Sequence, residues 1–83
     1  MRVVLGPNGS EDFDALPVTI QARVLRVFER LQAWPNVSGA KALRGDWRGH
    51  YRVRTGDWRV IFKVVEPTVI VVRIKHRSEV YEE

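Results

Sequence analysis

Eighty-three residues, 45% of them apolar and 29% charged, make one folded domain (1–83) and exclude both a disordered chain and a second core. The absence of cysteine excludes disulfides, thiolate metal sites and a cysteine nucleophile, and it fits a reducing cytoplasm. The formal net charge of +4 is unevenly spread: residues 1–40 are neutral, residues 41–77 carry ten basic against three acidic side chains, and three glutamates follow, a distribution suited to a polyanionic partner.

The first element is a short strand over residues 2–5, too brief to be a signal-peptide core because Gly6 and Pro7 stop it. No later apolar run approaches the ~20 residues of a membrane helix. Ser10, followed by Glu11 and Asp12, suits a helix N-cap, and a short helix can run from there to Leu16, before Pro17. The second helix has the clearest signature. Ile20, Val24, Val27, Phe28, Leu31 and Trp34 recur on one helical face, and Pro35 ends the run. Residues 36–45 are expected to form a loop.

Three strands are expected after it: Trp47–Arg54, Trp58–Val65 and Thr68–Lys75. The short turns between them, Thr55-Gly56-Asp57 and Glu66-Pro67, imply an antiparallel meander covered on one face by the helices. Alternation predicts two faces. Tyr51 and Val53, then Trp58, Val60, Phe62 and Val64, then Ile70, Val72 and Ile74 lie under the helices. Arg48, His50, Arg52 and Arg54, then Arg59, Ile61 and Lys63, then Val69, Val71, Arg73 and Lys75 lie on the open face. Cations gathered this way repel one another unless an anion docks among them.

The acidic residues are scattered and the two histidines lack spaced partners, so no metal site is expected. No phosphate-binding glycine loop or nucleophile elbow is present. What remains is Arg, Lys, His and Tyr, a set able to cleave RNA through its own 2′-hydroxyl. The substrate then brings the nucleophile, and the protein holds the strand and neutralises the charge that builds on phosphorus. Arginine forks suit that work but cannot act as bases at neutral pH. Proton transfer is left to His76, Tyr81 or Lys75.

The run L-R-G-D-W-R-G-H-Y-R-V-R-T-G-D-W-R-V-I-F-K-V (43–64), followed by I-K-H-R-S-E-V-Y (74–81), closely resembles the RelE/ParE toxin superfamily. The resemblance implies an α+β fold of order β-α-α-β-β-β, with an antiparallel sheet and two N-terminal helices on one face. It implies a type II toxin that cleaves mRNA on the ribosome, without metal or small-molecule cofactor, and a cognate antitoxin as partner. By position, Arg59 matches an arginine at the reacting phosphate and Lys75 a phosphate-stabilising cation. Tyr81 matches a tyrosine that stacks on a base and assists the 2′-hydroxyl, while His76 and Arg77 form the His-Arg motif. Arg52 and Arg54 stand where the ribosome-dependent enzyme has lysines, which moves proton transfer toward His76 or Tyr81. Arg48, Lys63, Arg73 and Arg77 complete the expected RNA-binding set. The other branch of the superfamily, ParE-like inhibitors of DNA gyrase without a nuclease site, has the same fold.

Overall fold

The computed structural model describes residues 1–79. Its elements are β1 (Arg2–Leu5), α1 (Pro7–Asp14), α2 (Val18–Leu31), β2 (Lys41–Ala42), β3 (Tyr51–Thr55), β4 (Trp58–Val65) and β5 (Thr68–His76), with 3-10 turns at Gly45–Trp47 and Arg77–Glu79. The five strands form one sheet in the order β1-β5-β4-β3-β2. β3, β4 and β5 make the expected antiparallel meander. β1 joins its edge parallel to β5, so the sheet is mixed.

α1 begins at Pro7 with Gly6 as its N-cap, four residues earlier than the Ser10 signal suggests. Proline fits the first helical position because its fixed φ is already helical and its missing N–H would have no partner there. The Ser10 N–H instead donates to the Gly6 carbonyl at 2.8 Å, inside the first turn. α2 starts on Pro17, whose carbonyl accepts from the Ile20 and Gln21 N–H groups, both at 2.9 Å. It ends at Leu31, before Trp34. Trp34 still reaches the sheet, its ring 4.7 Å from that of Tyr51 and 5.3 Å from that of Phe62.

Two stretches differ from expectation by more than a single residue. Trp47 lies in a 3-10 turn, and β3 starts only at Tyr51. Gly45 and Gly49 flank that turn with positive φ (63° and 87°), which an extended strand cannot hold. Lys41–Ala42, read as loop, pairs antiparallel with β3 as a two-residue edge strand.

The core lies between the helices and one sheet face. Val24, Val27 and Leu31 of α2 meet Val53, Val60, Phe62, Val69, Val71 and Ile74 of the sheet, and Leu16 closes one end. The face of β5 needs a correction. Val69 and Val71, expected on the open side, are core residues, and Val72 is not. The cause is a β-bulge. Ile61 pairs with Arg73 while the next residue, Phe62, pairs with Val71, so Val72 is the extra residue. The bulge shifts side-chain parity by one. Val69 and Val71 before it, and Ile74 after it, therefore all face the helices.

Candidate functional site

Residues directly opposite in a sheet share a face, so the register maps the surface away from the helices. Arg54 pairs with Arg59, and Arg59 with Lys75, which sets three cations in one row across β3, β4 and β5. The next row holds Lys41, Arg52, Ile61 and Arg73, and the third places Lys63 beside Ile70. At the ~5 Å spacing of neighbouring strands, each like-charge pair costs about 1 kcal/mol even in water. That cost falls when a phosphate lies across the row, and an arginine fork can hold two of its oxygens.

Acidic residues and carbonyls at the rim orient these cations. Asp12 of α1 accepts from the Arg73 guanidinium at 2.8 Å (Nε) and 3.3 Å (Nη2), and from the Ile74 N–H at 2.9 Å. Burial alone raises the Asp12 carboxyl, but the hydrogen bonds from Arg73 and Ile74, with the charges of Arg73 and Lys75, leave it below the ordinary carboxylate range. The same hydrogen bond, donated to Asp12, raises the Arg73 guanidinium further, against the opposing effect of its own burial. Glu79 reaches back to the end of β5, with Oε2 3.7 Å from the Lys75 ammonium and Oε1 accepting from the His76 N–H at 3.3 Å. The Asp57 carbonyl, in the β3–β4 turn, accepts from Arg59 at 3.5 Å and from the Arg77 N–H at 2.7 Å. That turn ties Arg59 to the segment that follows β5.

The sequence-predicted residues divide accordingly. Arg54, Arg59 and Lys75 form the first row, and Arg52, Arg73 and Lys63 lie behind it on the same face. Arg52 is buried, at 6% exposure, rather than open to solvent. Ile61, in the same row, is 1% exposed and lies outside the main core cluster. Arg48 sits off the sheet, just after the 3-10 turn, and Arg77 lies in the turn after β5, its guanidinium 3.7 Å from Asp57. His76 lies on the helix side. It pairs with Trp58, its ring 5.1 Å away edge-on, and its Nδ1 accepts from the Ser78 N–H at 3.3 Å. Tyr81 lies outside the described residues.

Sequence reasoning missed Lys41, counted as a loop residue, and the acidic partners Asp12 and Glu79. For Asp12 no sequence signal was available, because its partner lies 61 residues away. Among the described residues, no His, Asp and Glu side chains gather as a metal-binding cluster, and no helix is long and apolar enough to cross a membrane.

A family model described as the ParE toxin of the type II toxin–antitoxin system parDE matches residues 8–81. The chain belongs to this family. It is a type II toxin of the RelE/ParE superfamily, with a RelE-like α+β fold. Toxin RelE3 of Methanocaldococcus jannaschii is 26% identical over 86 residues, spanning 99% of this toxin and 97% of the relative. The toxin–antitoxin complex RelBE2 from Mycobacterium tuberculosis matches with a TM-score of 0.78 at 24% identity, over 92% of this toxin and 96% of that chain. Isolated RelE toxin from E. coli matches with a TM-score of 0.74 at 14% identity, over 90% and 82% of the two chains. At these identities, the likeness to the solved structures is one of fold.

Proposed function

We propose that this toxin is an endoribonuclease that cleaves mRNA on the ribosome, in the cytoplasm, by attack of a 2′-hydroxyl on the adjacent phosphate and without a metal or small-molecule cofactor. The observation that supports it is the Arg54–Arg59–Lys75 row. Arg59 is its middle member and is braced by the Asp57 carbonyl, so a phosphate bound over it meets a cation on each side. Such a row favours the transition state, in which charge on the phosphoryl oxygens increases. Lys75 is the one member of the row able to give up a proton, and it serves the leaving 5′-oxygen. Tyr81 takes the 2′-hydroxyl side, as the superfamily resemblance implies. Arg73 and Lys63 extend the contact along the strand, with Arg48 and Arg77 at its margins, while the buried Arg52 adds its charge from beneath. A cognate antitoxin is the protein partner, by analogy with the RelBE2 complex of Mycobacterium tuberculosis and the RelB–RelE complex of Methanococcus jannaschii.

One observation favours the ParE-like alternative, inhibition of DNA gyrase: His76 faces away from the cation row and leaves it without an imidazole. A single extract separates the two readings. Messenger RNA ends are mapped by primer extension during translation, and plasmid supercoiling is followed beside them. The nuclease reading expects new RNA ends with wild type, and a loss of about 10²–10³ in cleavage rate with Arg59→Ala. Blocked supercoiling with intact RNA overturns it, and so does full cleavage by Arg59→Ala.

A further inference from the structure

Trp34 and Trp58 pack against the helix-side core, but the third tryptophan, Trp47, does not. An indole can bury on the order of 200 Å². Trp47 stays half-buried, and among the described residues its aromatic partner is His50, edge-on at 5.2 Å. Backbone bonds hold the turn that carries it. The Trp47 N–H donates to the Arg44 carbonyl at 3.2 Å, the Arg48 N–H to the Gly45 carbonyl at 3.1 Å, and the His50 N–H to the Trp47 carbonyl at 2.9 Å. The Leu43 N–H donates to the His50 carbonyl at 2.9 Å, which carries the pairing of β2 with β3 one residue further. His50 precedes Arg52 by two residues, so alternation puts its side chain on the face of the cation rows. Along the strand it is four residues, or roughly 14 Å, from Arg54. The Trp47 ring stands beside it at that end of the face.

The surroundings decide what the ring can hold. Arg44 and Arg48, both exposed, flank Trp47 in the chain, and Lys41 and Lys63 lie on the same sheet face. The acid of the turn is Asp46. Positive charge outweighs negative at this corner, which favours an anionic partner. A Cβ on Gly49 would meet nothing within 4 Å, so the backbone between Arg48 and His50 is open to an approaching strand. An aromatic ring set among cations suits single-stranded nucleic acid: the ring takes the flat face of a base and the cations take the phosphates on either side. An acidic peptide would satisfy the cations but leave the indole without a flat partner. Stacking of this kind reads no base edge, so it adds affinity without sequence preference.

We propose that Trp47, backed by His50 and flanked by Arg44 and Arg48, is a stacking platform for an unpaired base of the same RNA strand that lies on the Arg54–Arg59–Lys75 row, several nucleotides from the phosphate held there. The inference rests on the RNA-cleaving reading for its ligand, but its test does not need cleavage. The probe is single-stranded 2′-O-methyl RNA, whose blocked 2′-oxygen cannot attack, as a dinucleotide and as an octanucleotide. The ¹⁵N-labelled toxin is titrated with each, and the Trp47 indole N–H is assigned by its loss in Trp47→Phe. The octanucleotide is expected to move that signal, and the dinucleotide to bind without moving it. Trp47→Leu is expected to weaken the octanucleotide about tenfold with the slope of log affinity against log salt unchanged, whereas Arg48→Ala lowers that slope by about 1. An abasic position walked along the octanucleotide needs no variant. At one place it is expected to cost about tenfold in affinity and to return the Trp47 signal to its free position. An unmoved Trp47 signal, an equal response to the dinucleotide, or an abasic scan that leaves the Trp47 signal untouched overturns the platform. So does a Trp47 signal that answers to the cognate antitoxin and to no oligonucleotide. Stacking on Trp47 by a toxin that cuts no RNA upholds the platform and sinks the nuclease reading, whereas cleavage with Trp47 unmoved does the reverse.

Discussion

Gly9 in α1 lies against the backbone of β5, and replacing it with alanine tests how closely the helix is held there. An added Cβ would run into the Val71 carbonyl oxygen and lie 3.1 Å from the Val71 carbonyl carbon. These are backbone atoms of a central strand and cannot swing aside. The helix must move away by on the order of 1 Å to restore an ordinary carbon–oxygen contact. Overpacking of this kind costs about 1–3 kcal/mol. The move also stretches the 2.9 Å hydrogen bond from the Gly6 N–H to the Val71 carbonyl, worth about 1 kcal/mol. Against this stands the helix propensity of alanine, a gain of up to ~1 kcal/mol over glycine. The clash wins, with a net loss of about 2 kcal/mol. For a domain of this size that lowers the melting temperature by roughly 8–16 °C. Thermal and urea melts followed by circular dichroism give the number, with Ser10→Ala in the same helix as a control expected to stay within ~0.5 kcal/mol. A Gly9→Ala protein that melts at or above the wild-type temperature would refute the close approach of α1 to β5.

Asp12→Asn is expected to cost about 1–2 kcal/mol at pH 7, because Arg73 and the Ile74 N–H lose their carboxylate. The folded-state pKa of Asp12 is lowered, so its contribution is fully present above the unfolded value of about 4 and disappears as pH falls through the folded one. Urea melts taken at a series of pH values from 7 downward should show the gap between the two proteins narrowing as the pH falls below about 4, and a gap that stays constant with pH would count against the assignment. Gly9→Ala and Asp12→Asn act through the same helix–strand contact, so their combined cost should fall short of the sum. Arg54→Ala is expected to weaken RNA binding similarly for all sequences and to reduce the slope of log affinity against log salt by about 1, read by filter binding across salt concentrations. Arg77→Ala should change stability by less than ~0.5 kcal/mol, because its pair with Asp57 is well exposed on both sides.

Most of the fold was legible because its signals are local. The periodicity of Val24, Val27 and Leu31, and the turns at Gly56-Asp57 and Glu66-Pro67, fix element type within a few residues of chain. The parity of β5 was not legible. A bulge is set by how two strands meet, and nothing in T-V-I-V-V-R-I-K-H marks Val72 as the extra residue. The alternation read along β3 and β4 held, and it carried the row of Arg54 and Arg59 correctly to one face. His76 illustrates the limit of motif adjacency. It follows Lys75 in the chain, and for that reason alone a strand sends the two to opposite faces. Asp12, the partner of Arg73, depends on tertiary closure, which a linear pattern does not encode, whereas Glu79 meets Lys75 four residues away through the local turn after β5.

The parallel pairing of β1 with β5 also orders events during synthesis. The strand at residues 2–5 is made first, but among the described residues it pairs with residues 68–71, more than sixty positions later. Until β5 arrives, α1 lacks the strand that Gly9 lies against, and Arg59 has only one of its two cationic neighbours. Contacts this distant along the chain form late and slowly. The row of Arg54, Arg59 and Lys75 is therefore assembled only once β5 has been made, so it arises in one step rather than growing with chain length.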